Sequence, residues 1–452
     1  MTTLYCARWV LPMASPAIED GAVAVEGERL ADVGPRAHLL ETFPQAEVRD
    51  FGEAAILPGL INCHSHLELT AMRGFLEREE GDFKSWLLKL KVAREERLTP
   101  DDLYVSAMSG AVEALRAGVT CMGDASSAAN ECMRALGESG LRGIVYQESF
   151  GPDPREAQAK FDELRERVSQ LREDESERVR VGVSPHAPYS VSAPQLELIA
   201  DFALAENLPL MMHAAESEAE SQLMLKGEGP FAESLARRGI KWHTPRVSTV
   251  EYLKQVGLLR ARPLLAHCIR VDQSDLETLK EFDARIAHCP KSNAKLGHGH
   301  APFAGFIRHG LKVGLGSDSV ASNNLCDLLE EARFAALLSR AFESETGPVE
   351  MLGAGDVLSA ATLGGARALG LENRTGALAA GLQADLAVIA LKHAHQLPVH
   401  AVQAALVFAS SGRDVVSTVV AGKEVYREGR VVGVDEERLR ERVGEIRDNL
   451  RF

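Results

Sequence analysis

Short apolar runs alternate with longer amphipathic stretches between residues 56 and 318. Each run has the length of a strand buried on both faces, and each stretch between runs is long enough for a helix that crosses back over a sheet. Eight such alternations favour an α/β fold of the closed (β/α)8 type, the TIM barrel, over an open doubly wound sheet. We therefore predict barrel strands at residues 56–61, 119–123, 141–147, 179–184, 208–213, 263–268, 285–289 and 311–316.

The stretch before the second predicted strand shows how these helices begin and end. Thr99 offers a side-chain oxygen that can cap a helix N-terminus, and Pro100 suits the first helical position. Asp102 lies in the first turn, where a carboxylate is favoured. Gly118 can end the helix because glycine adopts the left-handed conformation without a steric penalty. The pattern predicts a helix over residues 100–117.

The two ends of the chain carry a different pattern. Strand-like runs lie at residues 22–26 and 416–420 beside glycine-containing turns, and the stretch at residues 376–389 is again strand-like. Neither end is long enough to enclose a core of its own. We therefore predict one small composite β-sandwich domain built from both ends, residues 1–57 and 366–452, packed beside a barrel at residues 58–365.

Composition and charge narrow the class of protein. The chain has 452 residues, of which 45% are hydrophobic and 25% charged, as in an ordinary globular protein. Its net charge of -15 argues against a surface that binds nucleic acid or an anionic membrane. We predict a small-molecule substrate, with no nucleic-acid and no membrane partner.

Cysteine usage and the absence of targeting signals point to one compartment. The seven cysteines are scattered, odd in number and never spaced as CxxC, which predicts reduced, buried thiols and no disulfide framework. No basic segment precedes an apolar core at the N-terminus, and no run reaches the ~18 consecutive apolar residues of a membrane helix. These features predict a cytoplasmic protein.

Polar residues that can carry chemistry stand at or just after the ends of the predicted strands. Side chains alternate between two faces along an extended backbone, so His64 and His66 point the same way after the first strand. The carboxyl ends of barrel strands meet at one rim, where residues distant in sequence converge. The residues in such positions are His64, His66, His186, His213, Glu216, His267, His288 and Asp318.

This set of nitrogen and oxygen donors is typical of a catalytic metal site. We predict that one divalent ion, either zinc, iron or manganese, is held by His64, His66, His213 and Asp318. No lysine lies on the fourth strand, where a carbamylated side chain could bridge two ions. A bound ion lowers the pKa of water from ~15.7 to ~7 and so supplies hydroxide at neutral pH.

Three of the strand-end residues are candidates for catalysis. Glu216 follows His213 by three residues and is predicted to transfer the proton of the activated water as general acid and base. His267 is predicted to hydrogen-bond the hydroxide or the developing oxyanion. Asp318 could also accept the water proton, which would give it a catalytic role beside its role as a ligand.

A set of motifs spans the chain: PGLINCHSH, SPHAPYS, MMHAAE, LLAHC, AHCPKSNAKLGHGHAPF and GLGSDSVASNN in the barrel, then GALAAGLQADLAVI and VVAGKEVY towards the C-terminus. In these motifs the chain resembles the amidohydrolase superfamily, in its cytosine deaminase and chlorohydrolase branch. The last two motifs resemble the composite β-sandwich of that family. The resemblance implies a mononuclear metal site, an acid at Glu216 and hydrolytic release of ammonia from an aromatic ring carbon.

Within that branch, SPHAPYS, MMHAAES and AHCPKSN resemble deaminases of adenine-containing nucleosides. The pattern HSHLELT followed by GDFxxW is more similar to aminodeoxyfutalosine deaminases than to the S-adenosylhomocysteine group. The resemblance implies 6-aminodeoxyfutalosine as the first substrate candidate, followed by S-adenosylhomocysteine, methylthioadenosine and adenosine. A homodimer is implied by family likeness alone.

The resemblance also implies a set of substrate-binding residues: Glu68, Trp86, His186, His288 and Asn293. Glu68 would accept hydrogen bonds from the purine or the ribose, and His186 would contact the nucleoside. Asn293 would help to shape the pocket. His288 has two open interpretations, a direct contact with the ligand or a supporting role behind it.

Several alternatives have different sequence signatures. Zinc deaminases of another fold combine an H-x-E motif with a P-C-x-x-C motif. This sequence has H-x-E at residues 66–68 but no P-C-x-x-C motif. Neither a G-x-S-x-G serine nucleophile nor a GxxxxGK[ST] phosphate loop is present. Deamination of guanine or cytosine, chloride release from a triazine and hydrolysis of a cyclic amide stay open, because they share the same nucleophile. A non-catalytic barrel scaffold is the remaining alternative, and metal content would distinguish it.

Overall fold

The computed structural model describes residues 2–343 and 351–451. The N-terminal segment forms the first strands of one sheet before the chain enters the barrel. Its elements are β1 (Thr2–Val10), β2 (Ile18–Glu26), β3 (Arg29–Pro35), helix α1 (Arg36–Thr42), β4 (Glu47–Asp50) and β5 (Ala54–Pro58). β1 pairs antiparallel with β2 and β2 with β3, while β4 and β5 run parallel to β1.

Eight parallel strands within the described residues close into a barrel. They are β6 (Leu60–Ser65), β7 (Val119–Ser126), β8 (Arg142–Ser149), β9 (Val179–Pro185), β10 (Met211–Ala214), β11 (Leu264–His267), β12 (Arg285–His288) and β13 (Lys312–Leu315). β6 to β9 and β10 to β13 form two four-stranded groups. Parallel bridges from Val183 to Leu210 and from Ser65 to Asp318 join the groups on both sides. The predicted (β/α)8 barrel is confirmed.

The predicted first barrel strand is wrong in its extent. The predicted strand at residues 56–61 is two strands, because β5 pairs with the C-terminal part of the chain and β6 begins the barrel. Gly59 separates them, and a Cβ there would lie only 2.1 Å from side-chain atoms of Thr120. The absence of a side chain therefore lets the chain pass from one sheet to the other against β7.

Helices follow the barrel strands along the chain and pack against them. They are α2 (Phe83–Arg97), α3 (Pro100–Arg116), α4 (Ala129–Ser139), α5 (Ala157–Leu171), α6 (Ala193–Ala205), α7 (Glu218–Lys226), α8 (Gly229–Arg237), α9 (Thr249–Gln255), α10 (Gln273–Glu281), α11 (Pro290–Lys295), α12 (Phe303–Arg308), α13 (Val320–Asn323), α14 (Leu328–Glu343), α15 (Ala354–Ala360) and α16 (Leu363–Leu369). Leu115, Leu136 and Leu164 on the helices share one buried apolar cluster with Val119 and Val145 on the strands. The main core thus lies between helices and strands.

The start of α3 follows the predicted capping pattern. The backbone N–H of Asp102 donates to Thr99 Oγ1 (3.2 Å), and the backbone N–H of Thr99 donates to Asp102 Oδ2 (3.0 Å). Pro100 occupies the first helical position. Gly118 follows the helix with φ +81°, in the left-handed region that glycine adopts freely. Capping residues here determine where the helix begins and ends.

The C-terminal segment completes the sheet that β1 to β5 begin, which is called the second sheet below. Its elements are β14 (Leu386–Ala390), α17 (Val402–Ala404), β15 (Val415–Val420), β16 (Lys423–Arg427), β17 (Arg430–Val431) and α18 (Glu436–Leu450). β14 pairs antiparallel with β5, so strands from both chain ends share one nine-stranded sheet. The backbone N–H of Leu30 donates to the carbonyl of Leu382 (2.9 Å), which brings β3 against the chain before β14. The predicted assembly of this part from both ends is confirmed.

The predicted boundaries at residues 57/58 and 365/366 stay predictions. α16 crosses position 366 and packs against β13 and β6 of the barrel. Residues just after 366 therefore pack with the barrel, and the C-terminal contribution to the second sheet begins later, towards β14.

All seven cysteines are buried and none forms a disulfide, as the sequence predicted. Among the helices of the described residues, none combines the length and the apolar character required to cross a bilayer.

A buried ion pair joins the barrel to the second sheet. Arg142 on β8 donates from Nε to Asp385 Oδ2 (2.9 Å), and both side chains are almost fully buried. Asp385 Oδ1 also accepts the backbone N–H of Ala421 (2.8 Å). A buried charge that loses its partner is strongly destabilising, so this pair constrains how the two parts dock.

We expect Asp385→Asn to lower the free energy of unfolding by about 3–5 kcal/mol, because the Arg142 guanidinium stays buried without its carboxylate. Denaturant unfolding followed by circular dichroism measures this loss. Asp201→Asn is the matched control, since Asp201 forms an exposed ion pair with Arg260 (2.9 Å). That change should cost less than about 1 kcal/mol. Equal losses in both variants would contradict the structural role of the buried pair.

Candidate active site

The first two candidate ligands lie where β6 reaches the rim of the barrel. His64 is in the strand and His66 follows its last residue. Gly316, just after β13, lacks a side chain where a Cβ would lie 2.9 Å from the Cβ of His64. This close approach lets the segment that carries Asp318 run directly beside β6.

The four predicted ligands come together around one point. The Nε2 atoms of His66 and His213 are 3.2 Å apart. Asp318 Oδ1 lies 3.4 Å from His64 Nε2 and 3.6 Å from His66 Nε2. The available ligand atoms of the three histidines all lie within 4.8 Å of one another. Residues from β6, β10 and the segment after β13 thus present converging donor atoms.

Hydrogen bonds behind these side chains orient them. His213 Nδ1 lies 2.8 Å from the carbonyl of His186, which can only accept, so Nδ1 donates and Nε2 keeps its lone pair towards the centre. Asp318 Oδ2 accepts hydrogen bonds from the hydroxyls of Ser292 and Ser322. These contacts leave Asp318 Oδ1 facing the histidines.

Burial sets the charges of this cluster. It lowers the pKa of His64 to about 3 and also lowers the pKa of His66, so both rings are neutral at physiological pH. Burial alone would raise the pKa of Asp318, but its interactions with His64 and the neighbouring imidazoles lower it well below the usual range. The result is neutral imidazoles beside a carboxylate, the protonation states that metal binding requires.

The residues present fit a divalent metal ion. His64 Nε2 and His267 Nε2 are buried and have no hydrogen-bond partner among the described residues. A buried polar atom without a partner is costly; a cation at the centre of this cluster would satisfy the lone pair of His64, and a water molecule beside it would satisfy that of His267. Three imidazoles and one carboxylate suit zinc, iron or manganese. His267 also groups with His64 and Asp318, so it is within reach of the same ion.

Glu216 lies beside the metal-binding cluster. Its Oε1 is 3.7 Å from His267 Nε2 and 3.6 Å from His298 Nε2. Burial raises the pKa of Glu216 to about 8; His213 opposes this shift, and Asp318 adds to it. The side chain can therefore hold a proton near neutral pH and release it, as a general acid and base must.

Two residues of the site were missed in the sequence. His298, which faces Glu216, lies in the loop after α11, so no strand end points to it.

Glu148, the second missed residue, lies close enough to His186 and His213 for the three side chains to form a ligand group. Burial would raise the pKa of Glu148, but those two imidazoles and Arg94 contribute to lowering it to about 2. Glu148 directly follows a predicted strand, so the strand-end rule should have found it.

A large cavity opens above the cluster. Its volume is about 930 Å³, at the upper end of small-molecule sites. His66, His213 and Asp318 form part of its wall together with Glu216 and His267. Trp86 and His186, two of the predicted substrate-binding residues, also line it.

Glu68, Asn293 and His288 are not among the residues that line this cavity, and their part in substrate binding stays a prediction. Glu68 is the second residue of the 3-10 helix Leu67–Met72 and is buried, and its carboxylate accepts a hydrogen bond from the backbone N–H of Ser127 (3.3 Å). Asn293 Oδ1 lies 2.8 Å from His267 Nδ1 and so orients that ring. His288 stacks on Phe303, with ring centroids 4.8 Å apart, in a separate small cavity.

Comparison with known proteins agrees with this geometry. The model of the amidohydrolase family matches residues 55–425, which is most of the chain. The chain belongs to the amidohydrolase family. As an amidohydrolase it is a metal-dependent hydrolytic enzyme. An imidazolonepropionase-like composite domain of bacteria matches residues 21–46, within the second sheet.

Individual relatives cover nearly the whole amidohydrolase chain. A 5-methylthioadenosine/S-adenosylhomocysteine deaminase from Pelotomaculum thermopropionicum is 33% identical over 95% of this chain and 94% of its own. A 5'-deoxyadenosine deaminase from Methanothermobacter thermautotrophicus is 33% identical over 94% and 93%. The solved structure of an adenosine deaminase from Xanthomonas campestris with bound zinc has a TM-score of 0.86 and 27% identity, covering 99% of this chain and 98% of that one.

We expect His64→Ala to remove most of the bound metal from this amidohydrolase, because the ring nitrogen at the centre of the cluster is lost. Elemental analysis of the purified protein, expressed as metal per chain, measures the change. His393→Ala is the matched control, since His393 is exposed and stacks only on His395. Full metal occupancy in the His64 variant would refute its role as a ligand.

Proposed function

We propose that this amidohydrolase is a deaminase that releases ammonia hydrolytically from the adenine ring of a nucleoside. The observation that carries the proposal is the position of Glu216, next to the converging histidines and Asp318 on the wall of a cavity of about 930 Å³. The printed names of relatives that cover nearly the whole chain, deaminases of adenine nucleosides, support the same chemistry.

His64, His66, His213 and Asp318 would hold one divalent ion, for which zinc is the first candidate because the Xanthomonas campestris structure contains it. Iron and manganese suit the same donors. When bound, such an ion lowers the pKa of water towards ~7 and so provides a nucleophile at neutral pH. The chain's own part is to aim these donors at one point through the hydrogen bonds behind them and, for His64 and His66, to keep the rings neutral through burial.

Glu216 would move the protons of the reaction. Its carboxylate would take one proton from the attacking water and deliver it to the purine ring nitrogen. It would then take the second proton of that water, now on the hydroxyl added to the ring carbon, and deliver it to the amino group, which departs as ammonia. A pKa raised to about 8 matches a group that both accepts and donates at neutral pH. The backbone N–H of Glu216 donates to Glu220 Oε2 (3.0 Å), which holds the residue at the start of its loop.

His267 would orient the water. Its Nδ1 faces Asn293 Oδ1 (2.8 Å), an acceptor, so Nδ1 carries a proton and donates it in this hydrogen bond. Nε2 then accepts a hydrogen bond from the attacking water, and it can donate to a developing oxyanion only after taking a proton itself. Asn293 thus acts by selecting the tautomer of His267.

The substrate we put first is 6-aminodeoxyfutalosine, followed by S-adenosylhomocysteine, methylthioadenosine and adenosine. The cavity of about 930 Å³ has room for a nucleoside with a bulky 5′ substituent. Aromatic side chains on its wall, Phe83, Trp86 and Tyr189 among them, suit a purine and an apolar extension.

Ammonia release from the metal-replete enzyme tests the reaction. The substrates are the four adenine nucleosides above, with guanine, cytosine and a chlorotriazine as representatives of the alternative chemistries. We expect ammonia from at least one adenine nucleoside and none from guanine or cytosine. Chloride release from the triazine, or ammonia from guanine or cytosine alone, would contradict the proposal.

We expect Glu216→Gln to retain its metal and to lose ~10²–10⁴-fold in kcat, the usual contribution of general acid–base catalysis. Steady-state kinetics and metal analysis on the same preparation separate the two effects. Glu218→Gln is the matched control, because Glu218 is exposed on α7 and its carboxylate lies 3.9 Å from Arg270. Near-normal kcat in the Glu216 variant would overturn its assignment.

A further inference from the structure

Two hydroxyl groups hold the carboxylate oxygen of Asp318 that faces away from the histidines. Ser292 on α11 and Ser322 on α13 both donate to Asp318 Oδ2. Both serines are almost fully buried, so no solvent competes for these hydrogen bonds. The direction in which Asp318 presents its other oxygen, Oδ1, therefore depends on how α11 and α13 are placed relative to each other.

A buried carboxylate outside the cavity wall joins these two helices. Glu331 on α14 is fully buried. Its Oε2 accepts the backbone N–H of Lys291 on α11 (3.2 Å), and its Oε1 accepts the side-chain amide of Asn323 on α13 (2.6 Å). Lys291 directly precedes Ser292 in the chain. Asn323 directly follows Ser322. One carboxylate is thus bound to both of the segments that supply the hydroxyls.

The amide of Asn323 also reaches the backbone beside the candidate ligand. Its Nδ2 donates to the carbonyl of Ser317, the residue before Asp318. Both partners of this amide nitrogen, the Ser317 carbonyl and the Glu331 carboxylate, are acceptors, so the nitrogen and not the oxygen must face them. Asp318 follows with a φ of +57°, a conformation that persists only where its surroundings hold it. Glu331 therefore fixes the amide that holds this strained segment.

We propose that Glu331 is a positioning residue for the metal ligand Asp318. It acts through α11 on the hydroxyl of Ser292, and through Asn323 on α13 and on the backbone before the ligand. Hydrogen-bond partners behind a ligating carboxylate fix its orientation and thereby the affinity for the ion. The inference rests on the proposed metal site and deepens it, because Glu331 would control that site without touching ion or substrate.

Zinc affinity tests this role directly. Glu331→Gln keeps the size of the side chain but replaces one accepting oxygen by an NH2 group, so one of the two N–H partners loses its acceptor. We expect the affinity, measured by competition with a chromogenic chelator, to fall by ~10–100-fold, the usual cost of losing such a partner. In the cobalt-substituted protein the d–d absorption bands should shift, because Asp318 is placed differently around the ion.

Glu330→Gln is the matched control. Glu330 is the adjacent residue on α14 and pairs with Nζ of Lys291 (2.6 Å), so the change removes a charge beside the same helix and leaves both hydrogen bonds of Glu331 in place. Its zinc affinity should stay within about twofold of the wild type, and its cobalt spectrum should be unchanged.

A double variant separates positioning from a general loss of stability. Ser292→Ala removes one hydroxyl from Asp318 directly. If Glu331 acts through that hydroxyl, Glu331→Gln/Ser292→Ala should weaken zinc binding by less than the product of the two single effects. Urea unfolding of the metal-free proteins measures the stability of each variant by itself. Should Glu331→Gln fail to fold, Asn323→Ala, which breaks the link to α13, takes its place in every measurement.

The outcomes separate this inference from the proposed function. Wild-type zinc affinity or an unshifted cobalt spectrum in the Glu331 variant overturns the positioning role and leaves the deaminase function standing, and so do single effects that multiply in the double variant. If the wild type binds zinc but releases ammonia from no adenine nucleoside, the deaminase function is wrong, and the metal measurements still decide the role of Glu331. A wild type that binds no metal would overturn both.

Discussion

The backbone N–H of Asp318 donates to the carbonyl of His64 (2.9 Å), and the whole site depends on this contact. It lies where the first and last strands of the barrel meet, so closing the barrel and placing two candidate metal ligands side by side are the same event. Asp318 has a φ of +57°, a conformation that non-glycine residues seldom adopt, and the closed barrel holds it there. The absence of a side chain at Gly316 makes the approach possible.

Hydrogen bonds and burial then set the orientation and the protonation of the side chains around this contact. His213 and His267 point the Nε2 lone pair inward because the other ring nitrogen, Nδ1, donates a hydrogen bond to the His186 carbonyl and to Asn293 Oδ1, respectively. Burial then keeps the rings of His64 and His66 neutral, while it raises the pKa of Glu216 to about 8. The same low-polarity environment therefore lowers the pKa of these two histidines and raises the pKa of Glu216, because burial disfavours whichever form is charged.

Chemistry and selectivity are carried by different parts of the molecule. The reaction centre is made by the ends of barrel strands, which are rigid and mutually hydrogen-bonded. The outer cavity is made by α2, α5 and α8, whose lining can change without disturbing the strands. This division explains how one family can share a nucleophile and act on different substrates.

The sequence by itself determined the barrel, the joint use of both chain ends in the second sheet, the ends of α3 and the convergence of His64, His66, His213, Glu216, His267 and Asp318. These follow from local periodicity, capping and the rule that parallel strands end at one rim. Only the tertiary structure decided that the predicted first strand divides at Gly59, that Glu68 and His288 do not line the cavity and that His298 faces Glu216. The physical reason is that strand ends obey a general rule, whereas the direction of a side chain from a loop, a 3-10 turn or a helix face depends on what packs against it.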